Sequence, residues 1–195
     1  MDALTELLPL AIAMLLTGVV GGLLAGLLGV GGGIVIVPVL DTALGLYGVD
    51  PAIRMHVAVA TSLATIIPTS ISSIRAHRIK GAVDEVIARS WGPWVFVGSI
   101  LGTVLAAQAD SRVLSGLFAV MALVVAVKMM LPAQATFLHD GVPRGRLAGA
   151  IPLGIGGLSS MMGIGGGTLS VPILTLMNQP IHRSVGTAAV FGLLI

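Results

Sequence analysis

The chain has 195 residues, of which 56% are hydrophobic and 9% are charged, and its mean hydropathy is +1.07. Soluble domains carry roughly a quarter charged residues, so this composition excludes a water-soluble fold and indicates an integral membrane protein. The net charge of +2 argues against nucleic-acid binding, and the absence of cysteine excludes disulfides, iron–sulfur clusters and thiolate metal sites.

The apolar runs are continuous rather than alternating, which predicts membrane helices instead of a β-barrel. The first run, residues 7–28, carries no charge and contains several small residues, as closely packed membrane helices do. Asp2 and Glu6 precede it, where a signal peptide would carry basic residues. A glycine run at residues 29–33 ends this segment.

A second segment is predicted from the glycine run to about Tyr47. Pro38 either kinks this segment or stands in the first turn of a half-length helix, with Val37 extended before it. Asp50 and Pro51 predict a turn, and residues 54–74 predict a third segment. The most polar stretch of the chain, residues 75–90, is predicted to be a loop.

The second half of the chain follows the same pattern. Trp91 and Trp94 are predicted to be interfacial anchors at the entrance of the next segment. A polar connection is expected at residues 132–146. A last segment begins near Ser184 and the sequence stops at Ile195, so we expect a fragment or a truncated product of a longer, transporter-like protein. The segments in between are predicted at residues 91–107, 113–131, 147–162 and 168–177.

The sequence contains an internal repeat. GVGGGIVIVPVL at residues 29–40 and GIGGGTLSVPIL at residues 163–174 share seven of twelve positions, including four glycines and the proline. A second pair of blocks, HVAVATS and HRSVGTA, begins at His56 and His182. We therefore predict an all-α, polytopic membrane protein with one transmembrane domain, 1–195. Its first repeat is 7–107 and its incomplete second repeat is 147–195, each with a helix broken by glycine and proline.

Basic residues predict the orientation. If every segment crosses once, eight of the ten lysines and arginines fall on the side of loop 75–90. The positive-inside rule then places this loop in the cytoplasm and the N-terminus outside, in a multi-pass protein of the inner or plasma membrane. Five crossings separate the two glycine motifs, which predicts an inverted repeat. If the two short segments are re-entrant, the repeats are parallel instead.

The glycine motifs predict a binding site for a small anion. A broken helix leaves backbone N–H groups without partners at the positive end of a helix dipole, and paired Gly/Pro-interrupted segments mark the binding sites of repeat transporters. Tight helix packing is the alternative explanation. The predicted site residues of the two motifs are Gly29, Gly31, Gly32, Gly33, Pro38, Gly163, Gly165, Gly166, Gly167 and Pro172.

Three hydroxyl groups are added to this predicted site. Thr61, Ser62 and Thr187 could donate to a bound oxyanion, or they could bond to carbonyls of their own helices. The sequence contains no pair of intramembrane carboxylates, no catalytic triad and no metal-binding motif, so we expect neither an enzyme nor a cofactor or metal site.

Four charged or titratable residues are candidates for coupling or steering. His56 and His182 could carry protons, because histidine titrates near neutral pH, or they could be solvated at segment ends. Arg54 and Arg183 could draw anions towards the site, or they could anchor the helices at the interface.

Four stretches of the sequence carry a family resemblance: the two GxGGGxxxVP blocks, VATSL at residues 59–63 and SIRAHRIKGAVD at residues 73–84. Together they resemble the sulfite exporter TauE/SafE family, although GTAA at residues 186–189 lacks the serine and leucine of the first block. The resemblance implies a polytopic inner-membrane permease for sulfite or organosulfonate-type anions.

We therefore expect a secondary transporter that works by alternating access between its repeats. Its expected partners are the lipid bilayer and a small anion, with no nucleic acid, and the small-residue faces would allow a homo-oligomer. The alternative is a membrane subunit or scaffold that transports nothing.

Overall fold

The computed structural model describes residues 32–130 and 147–195, together with positions 15, 18, 19, 22 and 23. All regular structure in this part of the chain is helical, which confirms the predicted fold class. The helices of residues 32–130 and 147–195 are α1 (Gly33–Leu46), α2 (Pro51–Ile79), α3 (Glu85–Gln108), α4 (Ser111–Met130), α5 (Leu147–Met162), α6 (Gly167–Leu176) and α7 (Ile181–Leu194).

Within the described residues, three stretches are long and apolar enough to cross a membrane: Pro51–Ile79, Glu85–Gln108 and Ser111–Lys128. The remaining helices are apolar but shorter. At 1.5 Å per residue, the 10 residues of α6 extend roughly 15 Å, about half of a hydrocarbon core. The number of crossings and the relative direction of the two repeats therefore stay predictions.

Several predicted segments agree with the helices, and α5 has the predicted bounds Leu147–Met162. Pro38 lies inside α1 and Val37 before it is helical, so a helix that begins at Pro38 is excluded. Pro172 lies inside α6 in the same way. Most of the first predicted segment and the connection 132–146 lie outside the described residues.

The predicted loop at residues 75–90 is wrong, because only residues 80–84 separate α2 from α3. Gly81 ends α2 with a φ of 62°, a conformation that glycine adopts without steric cost. Asp84 begins α3 by accepting hydrogen bonds from the N–H groups of Val86 and Ile87. The stretch is polar because it is a pair of solvated helix ends, which composition alone does not distinguish from a loop.

Trp91 is not the interfacial anchor that its sequence position suggests. Its side chain is fully buried, and its ring stacks on Phe191 of α7 with centroids 6.1 Å apart. Trp94 is about half exposed, as an anchor would be. Trp91 therefore holds α3 against α7, in the larger of the two apolar clusters.

Helices α3 and α5 cross at close range through glycines. A Cβ atom on Gly98 would overlap the carbonyl oxygen of Leu153, and one on Gly102 would overlap that of Gly157. On α5, a Cβ atom on Gly156 would overlap the carbonyl oxygen of Val95. Gly98 and Gly102 form a GxxxG pair, which brings membrane helices into backbone contact. This contact fixes α5 and, through it, the second glycine motif.

Candidate functional site

The two glycine motifs contact each other directly. A Cβ atom on Gly33, the first residue of α1, would overlap the carbonyl oxygen of Gly163 and lie 2.7 Å from the Cα of Ile164. Gly163 has a φ of 65°, and a Cβ atom there would lie 2.9 Å from the Cα of Val59. Both positions therefore require glycine for packing, independently of any ligand.

A cavity of about 490 Å³ lies beside this contact and is lined by both motifs. Gly32 reaches it from the first motif, and Gly165, Gly166 and Gly167 reach it from the second. Helix α7 contributes small residues to the wall, including Ala188 and Gly192. The structure thus brings four of the predicted site residues to one space.

The glycines of the cavity stand at the beginnings of two helices. Gly32 precedes α1 and Gly166 precedes α6, and both have right-handed helical backbone angles and no side-chain cap. The first N–H groups of each helix have no acceptor within that helix, and the dipole adds partial positive charge there. An anion in the cavity would accept hydrogen bonds from these N–H groups and would be attracted by the partial positive charge.

Helix α2 adds a polar strip to the cavity that the sequence analysis missed. Its members recur at helical spacing, so the sequence signal that could have identified them is a row of polar residues on one face of an apolar helix. The hydroxyl of Thr65 donates to the carbonyl oxygen of Ser62 at 2.7 Å, and the hydroxyl of Thr69 donates to that of Thr65 at 2.9 Å, so both bond within their own helix. The strip comprises Thr65, Thr69, Ser70, Ser73 and His77.

The structure does not bring the three predicted hydroxyls to this cavity. Ser62 is buried and donates to the carbonyl oxygen of Gly163 at 2.7 Å. Thr187 accepts a 2.9 Å hydrogen bond from the N–H of Asp84, which ties α7 to the turn before α3. Thr61 is exposed. Ser62 and Thr187 therefore join elements of the fold.

The predicted coupling and steering residues also lie away from the cavity. Nε2 of His56 is 3.1 Å and 3.0 Å from the carbonyl oxygens of Ala106 and Ala109, at the end of α3. Nε of Arg54 donates to Oδ1 of Asp41 at 2.9 Å. The remaining two, His182 and Arg183, are exposed in the first turn of α7.

Not every predicted residue of the two glycine motifs lines the cavity. Pro38 and Pro172 lie within α1 and α6 and do not line the cavity. Gly29 and Gly31 lie outside the described residues. Within the described ranges, no group of three or more histidine and acidic residues is placed to hold a metal ion.

Comparisons with known proteins place the chain among membrane transporters. The family model described as "Sulfite exporter TauE/SafE" matches residues 14–195. A "probable membrane transporter protein" of Haemophilus influenzae is 33% identical over 183 residues, covering 93% of this chain and 69% of the relative.

Two further relatives carry the same kind of name. One from Methanocaldococcus jannaschii is 30% identical over 92% of this chain and 66% of its own length. One from Bacillus subtilis, YunE, is 29% identical over 85% of this chain and 67% of its own length. The chain thus spans about two thirds of the length of these relatives. No solved structure matches it significantly.

Proposed function

The chain belongs to the sulfite exporter TauE/SafE family, and from this premise we propose that it acts as a secondary transporter of small sulfur-containing anions, such as sulfite or an organosulfonate, across the cell membrane. Its relatives are named as membrane transporters and not by substrate, so the substrate class comes from the family description and from the chemistry of the cavity.

The observation that carries this proposal is the shared cavity of the two glycine motifs. A small anion needs hydrogen-bond donors and positive potential, and two uncapped helix beginnings supply both without a charged side chain. Repeated glycine motifs that converge on one space also fit a transporter built from two repeats. A scaffold needs the packing contact between Gly33 and Gly163, but it does not need an open space beside it.

We also propose that the cavity opens towards the cytoplasm. The strip on α2 runs from Thr65 to His77, towards the turn at residues 80–84. Basic residues surround this turn, whereas Asp41, Asp50 and Asp110 lie towards the opposite end of the helices. At that opposite end the beginnings of α2 and α4 meet, because Ser111 donates a hydrogen bond to the carbonyl oxygen of Ala52 at 2.9 Å. By the positive-inside rule, the basic end faces the cytoplasm. An anion to be exported could then enter the cavity from the cytoplasm.

The experiment is efflux of radiolabelled sulfite, sulfoacetate and thiosulfate from cells that express the chain. We expect at least one of these anions to leave faster than from cells with an empty vector at equal loading. Equal rates for all three, with the protein verified in the membrane, would contradict the proposal and favour the scaffold.

A further inference from the structure

We propose that Ser70 is the side-chain hydrogen-bond donor of the anion site and that the site accepts a singly charged oxyanion in preference to a doubly charged one. This inference rests on the proposed function and names a residue and a charge state within it. Ser70 belongs to none of the repeated motifs.

Ser70 combines burial with an unused hydroxyl group. Its side chain lines the cavity although only 7% of the residue is exposed. None of the described residues forms a hydrogen bond with this hydroxyl, whereas Thr65 and Thr69 on the same strip donate to helix carbonyls. The oxygen of this hydroxyl is open to the cavity and is not one of the fully enclosed unpaired atoms of the described residues, so it can donate to a ligand in the cavity without giving up a protein partner.

The position of Ser70 relative to α6 is set by Gly192. A Cβ atom on Gly192 would lie 2.7 Å from Oγ of Ser70, and a Cβ atom on Gly166 would lie 2.5 Å from the backbone nitrogen of Gly192. Gly192 therefore lies between Ser70 and the beginning of α6, and only its backbone separates them. An oxyanion beside Gly192 can accept from the Ser70 hydroxyl and from the first N–H groups of α6 together.

The charges around the cavity limit the charge of the ligand. The lining residues described for α1, α6 and α7 carry no titratable side chain, and α2 contributes one, His77. Lys80, the residue that follows α2, acts electrostatically on His77 but does not itself line the cavity. Among the described residues, the lining therefore offers at most one positive side chain. Because the cost of removing an ion from water grows with the square of its charge, a second negative charge would be poorly compensated.

The test measures binding to the purified chain in detergent. Two tetrahedral probes of similar size differ in charge: methanesulfonate is a monoanion and sulfate is a dianion. We expect methanesulfonate to bind at least about 10-fold more tightly than sulfate, and Ser70→Ala to weaken methanesulfonate binding about 10- to 100-fold, as expected for losing one hydrogen bond to a charged group. Equal affinities for the two probes would overturn the charge preference.

Ser72→Ala is the matched control, because Ser72 lies on the exposed face of the same helix. We expect it to bind methanesulfonate like the wild type. Ser70→Ala should also unfold at the same temperature as the wild type or a higher one, since it removes a cavity-facing hydroxyl that has no protein partner among the described residues. Unchanged binding by Ser70→Ala would overturn the role of Ser70 and leave the proposed function intact. If the wild type binds neither probe, the proposed function fails and this inference fails with it.

Discussion

Replacing Gly165 with alanine places a methyl group in the cavity without disturbing its walls. The new Cβ atom would lie 3.6 Å from the nearest atom of Ile66, an ordinary van der Waals distance, and Gly165 does not have the positive φ that disfavours side chains. The substitution should therefore leave the free energy of unfolding unchanged or raise it by about 0.4–1 kcal/mol, because alanine restricts the unfolded chain. An anion displaced from the N–H groups of α6 would lose about 1.5–3 kcal/mol per charged hydrogen bond.

This loss corresponds to an anion flux that is about 10- to 100-fold lower. Efflux of labelled sulfite, at matched protein levels in the membrane, measures it. Gly154→Ala on α5 is the control, since a Cβ atom there meets nothing within 4 Å and Gly154 does not line the cavity. Wild-type flux in Gly165→Ala, or an equal loss in both variants, would refute the idea that the cavity binds the transported anion.

Three further predictions concern packing and orientation. Gly33→Ala should reduce stability by about 1–3 kcal/mol or more, because its Cβ atom overlaps the Gly163 carbonyl oxygen; thermal unfolding measures this, and a stable variant would contradict the contact. Ser62→Ala leaves the buried carbonyl oxygen of Gly163 without its 2.7 Å donor, so we expect the free energy of unfolding to fall by about 1–3 kcal/mol in the same assay. The selectivity of the flux should not change. Because the chain has no cysteine, Lys80→Cys and Asp110→Cys each introduce a single labelling site. In intact cells we expect a membrane-impermeant maleimide to label the Asp110→Cys variant and not the Lys80→Cys variant. The opposite pattern would reverse the proposed orientation.

The helices were predictable where apolar length and turn residues determine them. The predicted bounds of α5 are those of the structure. Asp50 and Pro51 are predicted to form a turn before a segment at residues 54–74, and the helix begins three residues earlier, at Pro51, with Asp50 as its N-cap. Polarity misled the prediction at residues 75–90, because helix ends outside the membrane are as polar as loops. The burial of Trp91 depends on Phe191, far along the chain, and local sequence carries no information about that contact.

The site was predictable as a pair of motifs but not as a set of residues. Repetition identified both glycine runs, and the structure separates their members into glycines required for packing, such as Gly33, and glycines that line open space, such as Gly165. That distinction depends on which backbone lies opposite each Cα atom. The repeated block around Ser62 and Thr187 drew attention to hydroxyls that hold elements together, whereas Ser70 has no counterpart in a motif.

The most direct measurement is an experimental structure of the chain with selenite, a heavier analogue of sulfite whose selenium can be located by anomalous scattering. We expect one strong selenium peak in the cavity between α2, α6 and α7, with the selenite oxygens within hydrogen-bonding distance of Oγ of Ser70 and of the first N–H groups of α6. A peak at another place in the protein, or an empty cavity at a saturating selenite concentration, would contradict the claim that the two glycine motifs form an anion site.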